Sequence, residues 1–381
     1  MELSEKIAGH RRAIHRYAEV GFDTARTAEY VFEKLSELGY EPRRCGRSGV
    51  IADIGDGDED ATLLRADMDA LPIREESGEE FAAENGCAHL CGHDMHTAML
   101  LGAAEILKKK RGKIRGRIRL MFQSSEEDLR GCRDMIEAGA LDGASFSRAF
   151  MLHTLVGGEL PGGSVVFPGC GVSAAASDFF KYRVKGESGH GAVPQAARDA
   201  LHVSAKIMSA VLEMGSREVA VNEPLTVSFG KIVGGSAPNV IADRVELYGT
   251  LRTYDEEVRA RIVDRMRTLG QGIGALYGTE VEMEITSRCP SFITDALLAD
   301  AAEIKLKNRL GIKVIRTPDG TPGGGSEDFS YVSRLVPSLM VLLSAGARDE
   351  GYEYPLHHPK VRFSEDVLLR GAEIYAELAI P

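Results

Sequence analysis

Thr62-Leu63-Leu64-Arg65-Ala66-Asp67-Met68-Asp69 is a short apolar run that ends in two carboxylates. Residues 62–66 read as a buried strand, since the run is too short for a helix and is bounded by polar residues. A helical pattern follows over 97–108, then a strand over 117–123, and that strand also ends in acids, Glu126-Glu127. A helix over 131–138 leads to a strand over 149–152, directly followed by His153. Strands alternating with helices predict a mostly parallel sheet covered on both faces. The carboxyl ends of parallel strands line one edge, and ligands bind in the crevice there. Asp67, Asp69, Glu126, Glu127 and His153 therefore converge, although they are far apart in sequence.

Two amphipathic helices, over 3–18 and 27–39, and a strand over 50–54 precede this block; Ala28, Val31, Phe32, Leu35 and Leu38 recur at helical spacing. The pattern changes near residue 176. A strand over 179–184, a helix over 196–214, strands over 225–232 and 244–252, a helix over 256–276 and a strand over 280–285 follow in order. This β-α-β-β-α-β order is that of a ferredoxin-like α+β unit. From about 290 the helix–strand alternation resumes, with a helix over 295–310, a strand over 339–343 and a last helix over 365–378. The expected fold is α/β: one domain from 1–176 and 288–381, interrupted by a second from 177–287. The Gly- and Pro-rich patch at 317–326 reads as a loop.

The chain has 381 residues, 44% hydrophobic and 27% charged, which suits a soluble globular protein of two domains. Its net charge of −11 argues against nucleic acid as a partner, which wants a basic face. No apolar run approaches membrane-spanning length. The polar start, Met1-Glu2-Leu3-Ser4-Glu5, lacks the pattern of a secretory signal. Six cysteines scattered through a large chain are no disulfide framework, and a reducing cytoplasm is expected.

Cys91-Gly92-His93-Asp94-Met95-His96 carries the chemistry. A thiol, a carboxylate and two imidazoles fall within six residues, and Gly92 permits a tight bend. Adjacent carboxylates at Glu126-Glu127 repel each other in a crevice unless cations compensate. If one binds metal, the other can serve as general base. Cys91 as thiolate, with His93, His153 and His357 as neutral imidazoles, completes a donor set. Five protein ligands exceed what one open tetrahedral site takes, and suit two metals about 3.5–4 Å apart sharing a ligand. His357 and His358 are chemically equivalent here. Taken singly, each residue has an ordinary reading: His10, His15 and His202 sit in helical patterns, and Cys45, Cys87, Cys132, Cys170 and Cys289 are small apolar residues. Gly323-Gly324-Gly325 lacks the Gly-Lys-Ser/Thr ending of a phosphate loop. The joint pattern carries the argument.

That pattern resembles the di-metal amidohydrolases related to aminoacylase and glutamate carboxypeptidase. The nearest branch holds hippurate hydrolases, auxin–amino-acid conjugate hydrolases and N-acetyldiaminopimelate deacetylases. Matching stretches run the whole length: His10-Arg11-Arg12 through Glu19-Val20-Gly21-Phe22, Arg65 through Pro72, Cys91 through Ala98, Gln123 through Glu127, Gly189-His190-Gly191-Ala192, Asn239 through Asp243, Glu327-Asp328-Phe329 and Leu356-His357-His358-Pro359. The resemblance implies a zinc-exopeptidase-like catalytic domain and an inserted lid that also forms a homodimer. It implies two divalent ions, Zn or Mn, on Cys91, His93, Glu127, His153 and His357, with Cys91 bridging and His357 favoured over His358. Glu126 would be the general base. His190 would stabilise the oxyanion in the partner subunit's site. Asn239 and Arg252 would hold the substrate, Arg252 as a carboxylate clamp. The implied substrates are small N-acyl amino acids or short peptides. Ser124-Ser125 replaces the family's Pro-Ala, Ala242 its Pro and Ser188 a glycine, which leaves the substrate class open. A carboxypeptidase or di/tripeptidase, a catalytically inert metal- or ligand-binding relative, and a Cys91 nucleophile are the alternatives.

Overall fold

The computed structural model describes residues 2–58 and 60–380. The chain forms two compact units. The first comprises residues 1–173, 292–322 and 328–381, and the second 174–291 with 323–327.

The first unit is built on an eight-stranded mixed sheet. Its centre is four strands in the order Ile118–Gln123, Ala61–Asp67, Phe146–Leu155 and Ser338–Ser344, all parallel. Ala61–Asp67 and Ile118–Gln123 are buried at every position, as expected of strands with helices on both faces. Gly49–Ile54 and Arg43–Cys45 extend one side in antiparallel fashion, and Val165–Phe167 and Val314–Arg316 extend the other. The three-residue strands are too short to show a period in sequence. Helix His93–Lys109 packs against helices Leu3–His15 and Leu368–Ala379. Met95, Ala98, Met99, Leu101 and Leu107 join Leu64, Phe122, Phe150, Leu152 and Leu343 in the core. Each such large side chain contributes roughly 1.5–3 kcal/mol by leaving water.

Two of the boundaries that differ from the sequence reading concern functional residues. The helix expected from Thr97 begins at His93, because Gly92 is its N-cap in a left-handed conformation (φ +88°). His153 was expected just beyond a strand, but it lies within Phe146–Leu155, whose pairing with Ser338–Ser344 continues through Leu155.

The second unit has a four-stranded antiparallel sheet in the order Leu225–Gly234, Arg244–Thr253, Ala176–Lys185, Glu280–Cys289. In chain order, helix Ala200–Arg217 follows strand Ala176–Lys185 and helix Glu256–Leu276 follows strand Arg244–Thr253, giving the ferredoxin-like arrangement. Asp199 and Asp255 cap these helices by accepting two backbone N–H groups each. Burial alternates along Ala176–Lys185, as it should for a sheet packed on one face. Val203, Ile207, Val211, Ile262 and Met266 from the helices meet Phe180, Tyr182, Val245 and Leu247 from the strands. All six cysteines are free thiols. No helix among the described residues is long and apolar enough to cross a membrane.

Candidate metal centre

The carboxyl ends of the four central strands deliver one set of polar side chains. Asp67 closes its strand, Glu126 and Glu127 follow Gln123, and His153 comes from the third strand. Cys91 and His93 arrive on the turn that starts helix His93–Lys109, and His357 on the loop after Ser338–Ser344. The backbone is bent sharply there: Ser125 has φ +61° and His357 φ +67°. Non-glycine residues in that region cost about 1–3 kcal/mol and persist where the surroundings hold them.

Potential donor atoms of Cys91, His93 and His153 lie within 4.8 Å of one another, and so do those of Cys91, Glu127 and His357. His93, Glu126 and Glu127 form a third such group. His153 Nε2 is 3.6 Å from Cys91 Sγ, and His357 Nε2 is 3.4 Å from Glu127 Oε1. His93 Nε2 is 4.0 Å from both Glu126 Oε2 and Glu127 Oε1. His358 stands apart: its ring stacks on Tyr354 and its Nδ1 accepts from Lys360 N–H.

Asp69 organises this arrangement, a role the sequence could not express. Its backbone carbonyl accepts from His93 Nδ1 at 2.8 Å. Its two carboxylate oxygens accept from Glu126 N–H and Glu127 N–H, each at 3.1 Å. His153 Nδ1 likewise donates to the Thr154 carbonyl at 2.8 Å. In both rings the carbonyl holds a proton on Nδ1 and Nε2 faces the cluster, the orientation of a metal-binding histidine.

The electrostatics fit a cation. Burial and Glu127 oppose ionisation of Cys91, yet His93 and His153 prevail and lower its thiol to about 6. Burial disfavours a charged His153, but Cys91 raises it to about 9. Cys91 and Glu127 raise His357 to about 10. Burial opposes a charged Glu127 as well, and His357 and His93 hold it below the usual carboxylate range. Without a metal, protons thus occupy the places of cations. His93 Nε2 and Glu127 Oε1 remain buried without a hydrogen-bond partner. An unsatisfied buried polar atom costs about 1–3 kcal/mol, which a cation between these atoms removes. Thiolate, imidazole and carboxylate are donors for ions such as Zn²⁺.

In the second unit, Gly189–His190 and Val240–Ile241 form a two-stranded ribbon that brings His190 beside Asn239, both exposed. The Asn239 carbonyl accepts from Gly191 N–H at 2.8 Å. Arg252 is not with them. It pairs with Ser177 and Thr226 at the other end of the long strand, its guanidinium over Phe179.

An α/β sheet with clustered thiolate, imidazole and carboxylate donors at its carboxyl edge is the architecture of a metal-dependent hydrolase. Comparison with known proteins agrees. Residues 63–380 match peptidase family M20/M25/M40. The chain is 32% identical over 381 residues to the N-acetylcysteine deacetylase of Bacillus subtilis (strain 168), covering 98% of this chain and 96% of the relative. It is 34% identical over 386 residues to thermostable carboxypeptidase 1 of Saccharolobus solfataricus, covering 100% and 96%. The crystal structure of the Bacillus subtilis YXEP protein, described as a dinuclear metal-binding peptidase of the M20 family, superposes with a TM-score of 0.77 at 30% identity, covering 99% of this chain and 98% of that one. The chain belongs to peptidase family M20/M25/M40, and it is a metal-dependent amidohydrolase.

Proposed function

We propose that this enzyme is a cytoplasmic hydrolase of N-acyl amino acids that holds two divalent ions, Zn²⁺ or Mn²⁺, per subunit. The observation that carries this reading is the position of Cys91, whose thiolate has lone pairs for two ions and which belongs to two of the three-donor groups, one with His93 and His153 and the other with Glu127 and His357. A donor common to two groups suits a bridging ligand. When bound, such ions acidify water and polarise the scissile carbonyl.

The remaining work falls to the chain's own residues. Glu126 Oε takes the proton of the attacking water and returns it to the nitrogen of the leaving amine. Asp69 fixes the backbone of Glu126 and so aims the carboxylate. His190 donates to the oxyanion of the tetrahedral intermediate. Arg252 holds the amino-acid portion through its carboxylate, and Asn239 contacts the substrate from the ribbon it shares with His190. Arg252 pairs with Ser177, close to where the chain enters the second unit at Ala174, whereas His190 and Asn239 lie at the opposite end. His190 acts on a second copy of the chain, in a homodimer built through the second unit.

Replacing Glu126→Gln is expected to lower kcat about 10²–10⁴-fold while elemental analysis still finds about two metals per subunit. Undiminished turnover would remove Glu126 from the mechanism, and no metal under any loading condition would end the reading. For the trans arrangement, mixing His190→Ala with Glu126→Ala subunits should restore part of the activity each lacks; no recovery argues for action within one subunit. Likeness to a carboxypeptidase at 34% identity supports a second reading, hydrolysis of short peptides. A panel of N-acyl amino acids against di- and tripeptides separates the two by kcat/KM.

A further inference from the structure

The strands Ala61–Asp67 and Phe146–Leu155 pair only as far as Arg65 and Met151. On their outer sides the ladders run on, to Asp67 with Gln123 and to Leu155 with Ser344. The sheet therefore parts between its two central strands at the level of Asp67, His153 and Thr154. Parting a sheet in the interior leaves backbone N–H groups without ladder partners, at about 1–3 kcal/mol each.

Two side chains fill the opening: the Tyr375 hydroxyl accepts from Leu152 N–H at 3.0 Å and donates to the Arg65 carbonyl at 2.6 Å, and beyond it stands His96. Its ring is fully buried. Nε2 accepts from Thr154 N–H at 2.8 Å, and Nδ1 donates to Asp67 Oδ1 at 2.6 Å. A backbone N–H can only donate, so the lone pair is on Nε2 and the proton on Nδ1. Asp67 is held from its other oxygen by Arg65 Nη1 at 2.7 Å. Asp67, His93 and His96 also have donor atoms within 4.8 Å of one another, but both His96 nitrogens are engaged, which removes it from the ligand set. Thr154, which His96 fixes, touches the donor cluster twice. Its carbonyl accepts from His153 Nδ1 at 2.8 Å, and its hydroxyl, 3.0 Å from His96 Nε2, lies 3.5 Å from the Cys91 carbonyl.

We propose that His96 is a positioning residue for the metal centre: wedged between the parted strands, it fixes Thr154 and through it the orientation of His153 and the Cys91 turn. This inference rests on the metal-binding reading above. It also predicts the tautomer, with the proton on Nδ1 rather than on Nε2.

Titration with Co²⁺ tests both. Wild-type protein should bind Co²⁺ with a thiolate-to-metal charge-transfer band from Cys91. His96→Ala should bind about 10–100-fold more weakly, with that band shifted or weakened. His96→Gln, which keeps an acceptor and a donor, should recover part of the affinity. Failure of the wild type to bind Co²⁺ would overturn the metal-binding reading and the inference with it. Wild-type binding matched by a folded His96→Ala, in affinity and in band, would overturn the inference alone. If His96→Ala does not fold, ¹⁵N-histidine spectra of the metal-free wild type decide: an Nδ1–H ring at His96 supports the wedge, and an Nε2–H or doubly protonated ring overturns it.

Discussion

Gly92 sets the geometry of the donor cluster more sharply than any side chain. It lies at φ +88°, which favours glycine, and a Cβ there would stand 2.3 Å from Thr154 Oγ1 and 3.3 Å from the Phe363 ring. The residue thus lets Cys91 and His93 flank a tight turn while Thr154 approaches from the neighbouring strand. Gly92→Ala combines a strained backbone with a clash. It should lower stability by about 1–3 kcal/mol and weaken metal binding together. Thermal unfolding and a metal titration on the same preparation check this, and an alanine variant with wild-type affinity would show that the turn tolerates a side chain. Asp69 works at the same scale, since a single residue holds His93 through its carbonyl and both glutamates through its carboxylate.

At the scale of elements, helix His93–Lys109 is tied to helix Leu3–His15 by buried charges. Asp94 accepts from Arg11 Nε at 3.0 Å and from His15 Nδ1 at 2.8 Å, and His15 Nε2 reaches Glu75 at 3.0 Å. Burial alone would lower His15, but Asp94 and Glu75 raise it to about 9. A raised folded-state value means stability that is complete below the unfolded value of about 6.5. It is lost as pH climbs through about 9. Urea unfolding of the wild type should therefore weaken by up to about 3 kcal/mol between pH 6.5 and 10, relative to a His15→Asn variant. Parallel pH profiles for the two proteins would place the charge elsewhere. The sign is opposite for Asp94, which burial would raise but Arg11 and His15 depress; its contribution is lost only in acid.

At the scale of the molecule, the second unit has its own core between two helices and four strands. Its first and last strands, Ala176–Lys185 and Glu280–Cys289, are hydrogen-bonded neighbours, so the chain enters and leaves it at adjacent places. An inserted unit with neighbouring ends and a separate core can fold by itself. Residues 174–291 expressed alone should unfold cooperatively in urea with a mixed α+β circular dichroism spectrum. A non-cooperative transition would mean that its core depends on the rest of the chain.

Much of the architecture was legible in the sequence because the central strands are buried over all or the middle of their length and appear as apolar runs between helical periods. The ferredoxin-like order was legible for the same reason, since its elements are long enough to show a period. The residue types of the donor cluster were legible too, because thiolate, imidazole and paired carboxylates follow those runs. Other features depend on atoms brought together from distant segments. The three-residue strands have no period to read, and the start of the helix at His93 rests on one left-handed glycine. His357 and His358 are the same chemical group in sequence; the tertiary structure puts one among the donors and the other against Tyr354. Asp69 and His96 stand out in the sequence only as candidate donors, and their positioning roles show once the strand ends they join are in place. Local sequence determined which segments are buried and which donors lie at strand ends, because burial pattern is a property of neighbours along the chain. Only the tertiary structure decided which lone pairs face one another, because that depends on backbone turns and hydrogen bonds between strands far apart in sequence.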